Sequence, residues 1–172
     1  MNCLSGIEKS NIKTKIIIMD NESTDGAPLM IKQAIKNKFF KYLDIELMEC
    51  KRIEGDKITN ICNIRKTLSE KVKTNFFFFL DADLFLPRMG LSLMLDIIQS
   101  NQNAGYIAIS YKPFNMHQGL GCAMIRTEAI KNIKWEKKQN EGCECNSVFE
   151  QIRNQGYQPM NLSKLSALDL NI

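Results

Sequence analysis

Residues 76–87 read Phe-Phe-Phe-Phe-Leu-Asp-Ala-Asp-Leu-Phe-Leu-Pro: five apolar residues run into two acids, and a second apolar run follows. A short, continuous apolar stretch rich in aromatics predicts a strand buried on both faces. Asp81 and Asp83 stand at its C-terminal end. Charges beside a dry core are costly unless something pairs with them. A divalent cation holding a diphosphate would do so, because Mg2+ and Mn2+ are usually held by one or two carboxylates together with phosphate oxygens. The same aspartates also suit a turn or a helix cap before Pro87. The local sequence leaves both readings open.

On either side of this stretch, strand and helix signals alternate. Lys15–Met19 is a β-branched strand, followed by loop chemistry from Asp20 to Gly26 in which Ser23, Thr24 or Asp25 can cap the next helix. Ala27–Lys38 reads as a helix with Ile31, Ala34, Ile35 and Phe39 on one face. Asp44–Cys50 is a strand. Asp56 or Thr59 opens a helix to about Lys73, along which Ile58, Ile61, Ile64, Leu68 and Val72 keep near-helical spacing. After the strand Asn75–Leu80, Pro87 or Arg88 begins a helix to Ser100. The spacing then predicts a strand Gly105–Ser110, a long loop Tyr111–Gly119, a strand Gly121–Arg126, a short helix Thr127–Asn132 capped by Thr127, and a helix Asn146–Gln155 ended by Gly156. This alternation predicts an α/β domain with a parallel sheet and right-handed crossovers. In such sheets ligands bind beyond the carboxyl ends of the strands. Asp20 and Asn21 stand at one such end and Asp81 and Asp83 at another. The two loops are therefore expected at one edge of one sheet.

The 172 residues fit a single domain, and 44% hydrophobic with 24% charged residues suits an ordinary globular core. The net charge of +4 comes from scattered lysines, enough to attract a small anion but too dispersed for nucleic acid. The six cysteines show no zinc spacing, and one histidine cannot complete a Cys2His2 set. Cys50, Cys62 and Cys122 are expected as buried thiols. Cys143 and Cys145 are expected as plain thiols, since their spacing is not Cys-x-x-Cys. No secretory signal is read, so a reduced, cytoplasmic setting is expected. The apolar runs are too short to span a bilayer, and no transmembrane segment is expected.

Several segments together resemble a family. Ile16-Ile17-Ile18-Met19-Asp20-Asn21-Glu22-Ser23-Thr24-Asp25-Gly26 looks like the "VVDNGSTDGT" segment of family 2 glycosyltransferases with the GT-A fold. Phe78–Asp83 looks like their "FLDADD" metal motif, and Asn63-Ile64-Arg65 falls where they often carry an Asn. Gly119–Arg126 is similar to their "GAGMLIRR" acceptor-side strand. Glu144-Cys145-Asn146 with Gly156-Tyr157, twelve residues after Glu144, resembles their "ED…GY".

The resemblance implies a mostly parallel, twisted GT-A-type sheet with helices on both faces. It also implies transfer of a sugar from a nucleoside-diphosphate sugar to a hydroxyl acceptor (glycan, lipid or protein), with inversion and with Mn2+ or Mg2+. Asp20 and Asn21 would bind base and ribose, with Asn63 in the same nucleotide-sugar site. Asp81 would hold ribose or reach the metal, and Asp83 would ligate it. Arg65 and Lys66 would neutralise the diphosphate, unless they are surface charges of an amphipathic helix. Three departures stand out. Cys3–Ile7 resembles the end of the family's first helix, so the opening strand and helix are expected to be missing. The family's base is the Asp of "ED", here Cys145, which leaves Glu144, or Glu141, to take the proton. The family's late metal-ligand His is absent, and Asp169 stands nearest its place. His117 is read as a loop histidine or an acceptor contact, and Trp135 as an acceptor platform or a cover for the core edge. The rival reading is a non-catalytic nucleotide-sugar-binding remnant of the same fold. A nucleotidyltransferase is weaker, since no Gly-rich pyrophosphate loop is present near the N-terminus.

Overall fold

The computed structural model describes Leu4, Ile7 and residues 12–87, 89–112, 118–136 and 143–169, with the backbone alone for 110–112, 118, 161 and 163–169. The elements in order are β1 (Lys15–Asp20), α1 (Ala27–Lys36), β2 (Asp44–Glu49), α2 (Lys57–Lys71), β3 (Phe76–Leu80), β4 (Leu84–Phe85), α3 (Gly90–Ser100), β5 (Ala104–Lys112), β6 (Gln118–Arg126), a 3-10 turn (Thr127–Ile130), α4 (Glu144–Asn154) and β7 (Gln158–Asp169).

Local chemistry accounts for the boundaries. Asp56, rather than Thr59, caps α2, and its Oδ1 accepts the Thr59 N–H at 2.8 Å. Ahead of α1, Asp25 Oδ1 accepts the Ala27 N–H at 3.0 Å. Gly26 at φ 81° makes the turn into that helix. Gly156 takes φ 90° just past α4, as expected of a left-handed helix stop. Thr127 does not cap a helix. Its hydroxyl donates to the Thr74 carbonyl at 2.7 Å, and only one 3-10 turn follows.

The α/β class with helices on both faces holds, but the strand directions are mixed rather than mostly parallel. The pairs β1–β2 and β5–β7 are parallel, whereas β3–β6, β5–β6 and β4–β7 are antiparallel. Only residues 113–117 separate β5 from β6. A parallel crossover needs a dozen or more residues, so this connection forces a reversal. Among the described residues the expected single sheet is also two sheets, β1-β2 and β3-β6-β5-β7-β4. The Asp20 and Asp81 loops therefore end different sheets.

One core nevertheless joins them. Ile16, Ile18 and Ile45 pack with Phe76, Phe78 and Leu80 against a cluster containing Leu4, Ile7, Phe40, Leu84 and Leu86. Alternation along β5 and β6 separates the two faces. Ile107, Ile109, Cys122 and Met124 meet Leu91, Met94 and Ile98 of α3. Tyr106, Ala108, Ala123 and Ile125 meet Val148, Phe149 and Ile152 of α4. The aromatic run of β3 likewise packs both ways, Phe76 and Phe78 on the first cluster and Phe77 and Phe79 on the second.

Candidate active site

β3 delivers its acids in a tight turn. The Asp81 N–H donates to the Gly121 carbonyl at 2.7 Å, and the Leu84 N–H returns to the Asp81 carbonyl at 3.1 Å. Asp81 and Asp83 are therefore set at the sheet end with exposed side chains. The expected turn chemistry and the expected placement at a strand end both occur.

Asp81 carries a partner that the sequence did not reveal. Arg65 of α2 is 7% exposed, and its Nη2 lies 3.1 and 3.3 Å from the two Asp81 oxygens. Its Nη1 donates to Glu144 Oε1. The guanidinium carbon lies 5.7 Å from the centre of the Phe79 ring. The fork of a guanidinium suits two carboxylates at once. Burial works against the Arg65 charge, but the charges of Asp81 and Glu144 more than offset it and push its pKa above the ordinary value. Of the two openings left for Arg65, the surface charge is excluded, whereas Lys66 is exposed as that reading expects. The missed signal was Cys62, one helical turn before Arg65 and likewise buried.

Glu144 begins α4 and is buried beside Cys145. Cys143 caps the helix through sulfur, accepting the Cys145 N–H at 3.2 Å. Cys145 Sγ accepts the Leu120 N–H at 3.2 Å and faces Arg65 Nη1 at 3.9 Å. Both thiols are free, as expected. A hydrogen bond between them pulls Cys145 below the usual range and pushes Cys143 above it. Cys62 and Cys122 are buried thiols as expected, and burial pushes Cys62 up to about 11 and Cys122 up to about 12. Cys50 is only half-buried.

At the end of β1, Asp20 Oδ2 accepts the Ser23 N–H at 3.3 Å. Asn21 Nδ2 donates to the Cys50 carbonyl at 2.9 Å, and Asn63 Nδ2 reaches Cys50 Sγ at 3.5 Å. Asn21 and Asn63 thus converge on the end of β2. Asn63 and Arg65 share α2, so that helix reaches both Cys50 at the end of β2 and the Asp81 turn. Asp169 lies in β7, its backbone paired with Leu84, the residue after Asp83. Its side chain, His117 and Glu141 lie outside what is described. Trp135 stacks edge-on against Phe79 at 6.1 Å and covers the core edge.

The donor set fits a hard cation. Among the described residues nothing hydrogen-bonds or pairs with Asp83. The Asp81 oxygens keep free lone pairs beyond those facing Arg65. Oxygen donors of this kind suit Mg2+ or Mn2+. Among the described residues no helix is long and apolar enough to cross a membrane.

A family model described as glycosyl transferase family 2 matches residues 2–152. No curated protein matches the sequence. Among solved structures, a mannosyltransferase from Pyrobaculum calidifontis, in complex with GDP-Man and Mn2+, is 14% identical with a TM-score of 0.76; the match covers 98% of this chain and 52% of that one. TarS 1-349 of S. aureus is 13% identical with a TM-score of 0.70, covering 97% of this chain and 55% of that one. A glycosyltransferase involved in glycosylation of the major capsid of PBCV-1 is 12% identical with a TM-score of 0.55, covering 91% and 92%. The chain thus spans about half the length of the first two. At these identities the likeness carries the fold.

Proposed function

Because the chain belongs to glycosyl transferase family 2 and has its GT-A-type α/β fold, we propose that it is a glycosyltransferase, moving a sugar with inversion from a nucleoside-diphosphate sugar to a hydroxyl acceptor. The observation that carries this is the acidic turn at the end of β3, where Asp83 has no partner among the described residues. Asp83 and Asp81 would hold Mn2+ or Mg2+, with Asp169 as a further oxygen ligand from β7. The bound cation would supply Lewis-acid stabilisation of the charge on the leaving diphosphate.

The remaining steps belong to the chain's own groups. Asp20 offers a carboxylate to the nucleoside, and Asn21 keeps its amide oxygen for the same purpose while its nitrogen braces Cys50. Asn63 steadies this loop from α2. Arg65 fixes Asp81 in place and lends positive charge near the diphosphate. Glu144 takes the proton of the acceptor hydroxyl, using Oε2, since Oε1 is held by Arg65.

One observation favours the rival, a non-catalytic nucleotide-sugar binder: Arg65 engages both Asp81 and Glu144 in ion pairs. Release of nucleoside diphosphate decides between the two. Incubated with nucleoside-diphosphate sugars and Mn2+, the protein should release it, and Asp83→Ala should abolish the release. Binding without release across a broad acceptor panel would make it the binder.

A further inference from the structure

Cys143, Glu144 and Cys145 bring two sulfurs and a carboxylate to one point. One ligand atom from each lies within 4.8 Å of the others. Cys143 Sγ is 3.6 Å from Glu144 Oε2, and Cys145 Sγ is 3.8 Å from Oε1. A tetrahedral zinc with Zn–S near 2.3 Å and Zn–O near 2.0 Å has ligand-to-ligand edges of about 3.5–3.8 Å. The Cys143 Sγ–Glu144 Oε2 spacing is close to the sulfur-to-oxygen edge.

Each sulfur accepts a backbone N–H, Cys143 from Cys145 and Cys145 from Leu120. Glu144 and Cys145 are buried, and Cys143 is half-buried. Arg65 holds Glu144 Oε1 and thereby turns Oε2 toward Cys143, as an outer-shell partner orients a ligand. A divalent cation offsets two of the three negative charges of two thiolates and a carboxylate, and the Arg65 guanidinium, shared with Asp81, lies against the third. Soft sulfur selects against Mg2+ and Mn2+, which separates this group from Asp81 and Asp83.

We propose that Cys143, Glu144 and Cys145 form a site for a thiophilic divalent cation of the Zn2+ class, with water in the fourth position. Binding displaces both thiol protons to solvent. Occupancy also engages Glu144 Oε2, so the cation withdraws the proposed base and inhibits transfer; that consequence, unlike the site, rests on the transferase reading.

The test is a titration of the reduced, metal-free chain with Co2+, read by absorption without any sugar donor. We expect a thiolate-to-cobalt charge-transfer band, visible bands of tetrahedral cobalt, saturation at a single equivalent and displacement by Zn2+. Cys143→Ser and Cys145→Ser should each diminish the charge-transfer band, and the double variant should lose it. Serine is itself a good helix cap, so Cys143→Ser keeps α4 started, which its circular dichroism checks. Asp83→Ala should leave the band intact, so a failed transferase reading would not remove it. Absence of the band in the reduced wild type, or its survival in the double variant, overturns the proposal.

Discussion

The two sheets are held in different ways. No residue of β1 or β2 is fully buried, and α1 beside them has no buried residue at all. Leu29, Met30, Phe39 and Tyr42 stand exposed in the same region. In the five-stranded sheet, by contrast, residues 104–109 of β5 and 119–125 of β6 are buried throughout. The ion pairs follow the same division. Lys15–Glu46 and Lys32–Glu49 are surface pairs, whereas Arg65–Glu144 is sealed in the core. A buried, doubly bonded guanidinium fixes direction, and surface pairs do not. The proposed metal and proton-transfer groups thus sit on the rigid half. The proposed nucleoside loop sits on the half with fewer buried contacts, from which moving segments are usually drawn.

The strongest test of that contrast removes the buried cation. Arg65→Met leaves Glu144 buried without its partner and should cost about 3–5 kcal/mol, a fall in melting temperature of roughly 6–20 °C for a domain of this size. Adding Glu144→Leu should restore most of it, because a well-packed apolar pair replaces the ion pair at little cost. If the double variant melts no higher than the single one, the ion pair does not anchor this half.

A smaller test compares two glycines. A Cβ on Gly105 would lie 2.6 Å from Ile152 Cγ2 and 2.6 Å from Tyr157 Cβ. Gly105→Ala should therefore cost about 1–3 kcal/mol by overpacking. At Gly26, φ is +81° and nothing lies within 4 Å. There alanine should cost only about 1–2 kcal/mol of backbone strain, and Gly26→Asn less, since Asn tolerates that conformation. Chemical denaturation measures both. Partial rescue of Gly105→Ala by Ile152→Ala, with no such rescue at Gly26, would sharpen the contrast between a tight half and an open one.

The smallest effect belongs to Lys15–Glu46. The hydrogen bond from Lys15, and then its charge, holds the Glu46 carboxyl below its ordinary range, and the same contact raises Lys15. The Glu46 part of this stabilisation is present above the unfolded carboxyl pKa and is lost as pH falls through the folded value. The Lys15 part is present below the unfolded amine pKa and is lost as pH rises through the folded value. Both groups are exposed and screened by salt. Glu46→Gln should leave the melting temperature at neutral pH and physiological salt almost unchanged; a large drop would show that the small sheet depends on its surface charges.

The legible parts of the fold are those written in local pattern. Five apolar residues in a row made β3 plain, and the capping aspartate and the spacing of isoleucines made α2 plain. β7 was not legible. Its Gln158-Pro159-Met160-Asn161-Leu162-Ser163 opening has no β-branched residue, carries a proline and alternates only over Met160–Ser163, and it becomes a strand by pairing with β5. The split into two sheets was equally hidden, because strand partners are a matter of tertiary pairing. In the candidate site the acids of the β3 turn were legible as an odd charge beside a hydrophobic run. Arg65 was not, because an arginine among lysines on a helix reads as solvated until the carboxylates it meets, sixteen and seventy-nine residues on, are brought to it by the fold.

The central claim is that the acids ending β3 hold a diphosphate through a cation. Titration calorimetry of a panel of nucleoside diphosphates onto the full chain, with and without Mn2+, tests it most directly. The account predicts that at least one nucleotide binds only when Mn2+ is present, and that Asp83→Ala removes that binding while the protein stays folded. Equal affinity without the metal, or undiminished affinity in Asp83→Ala, would contradict it.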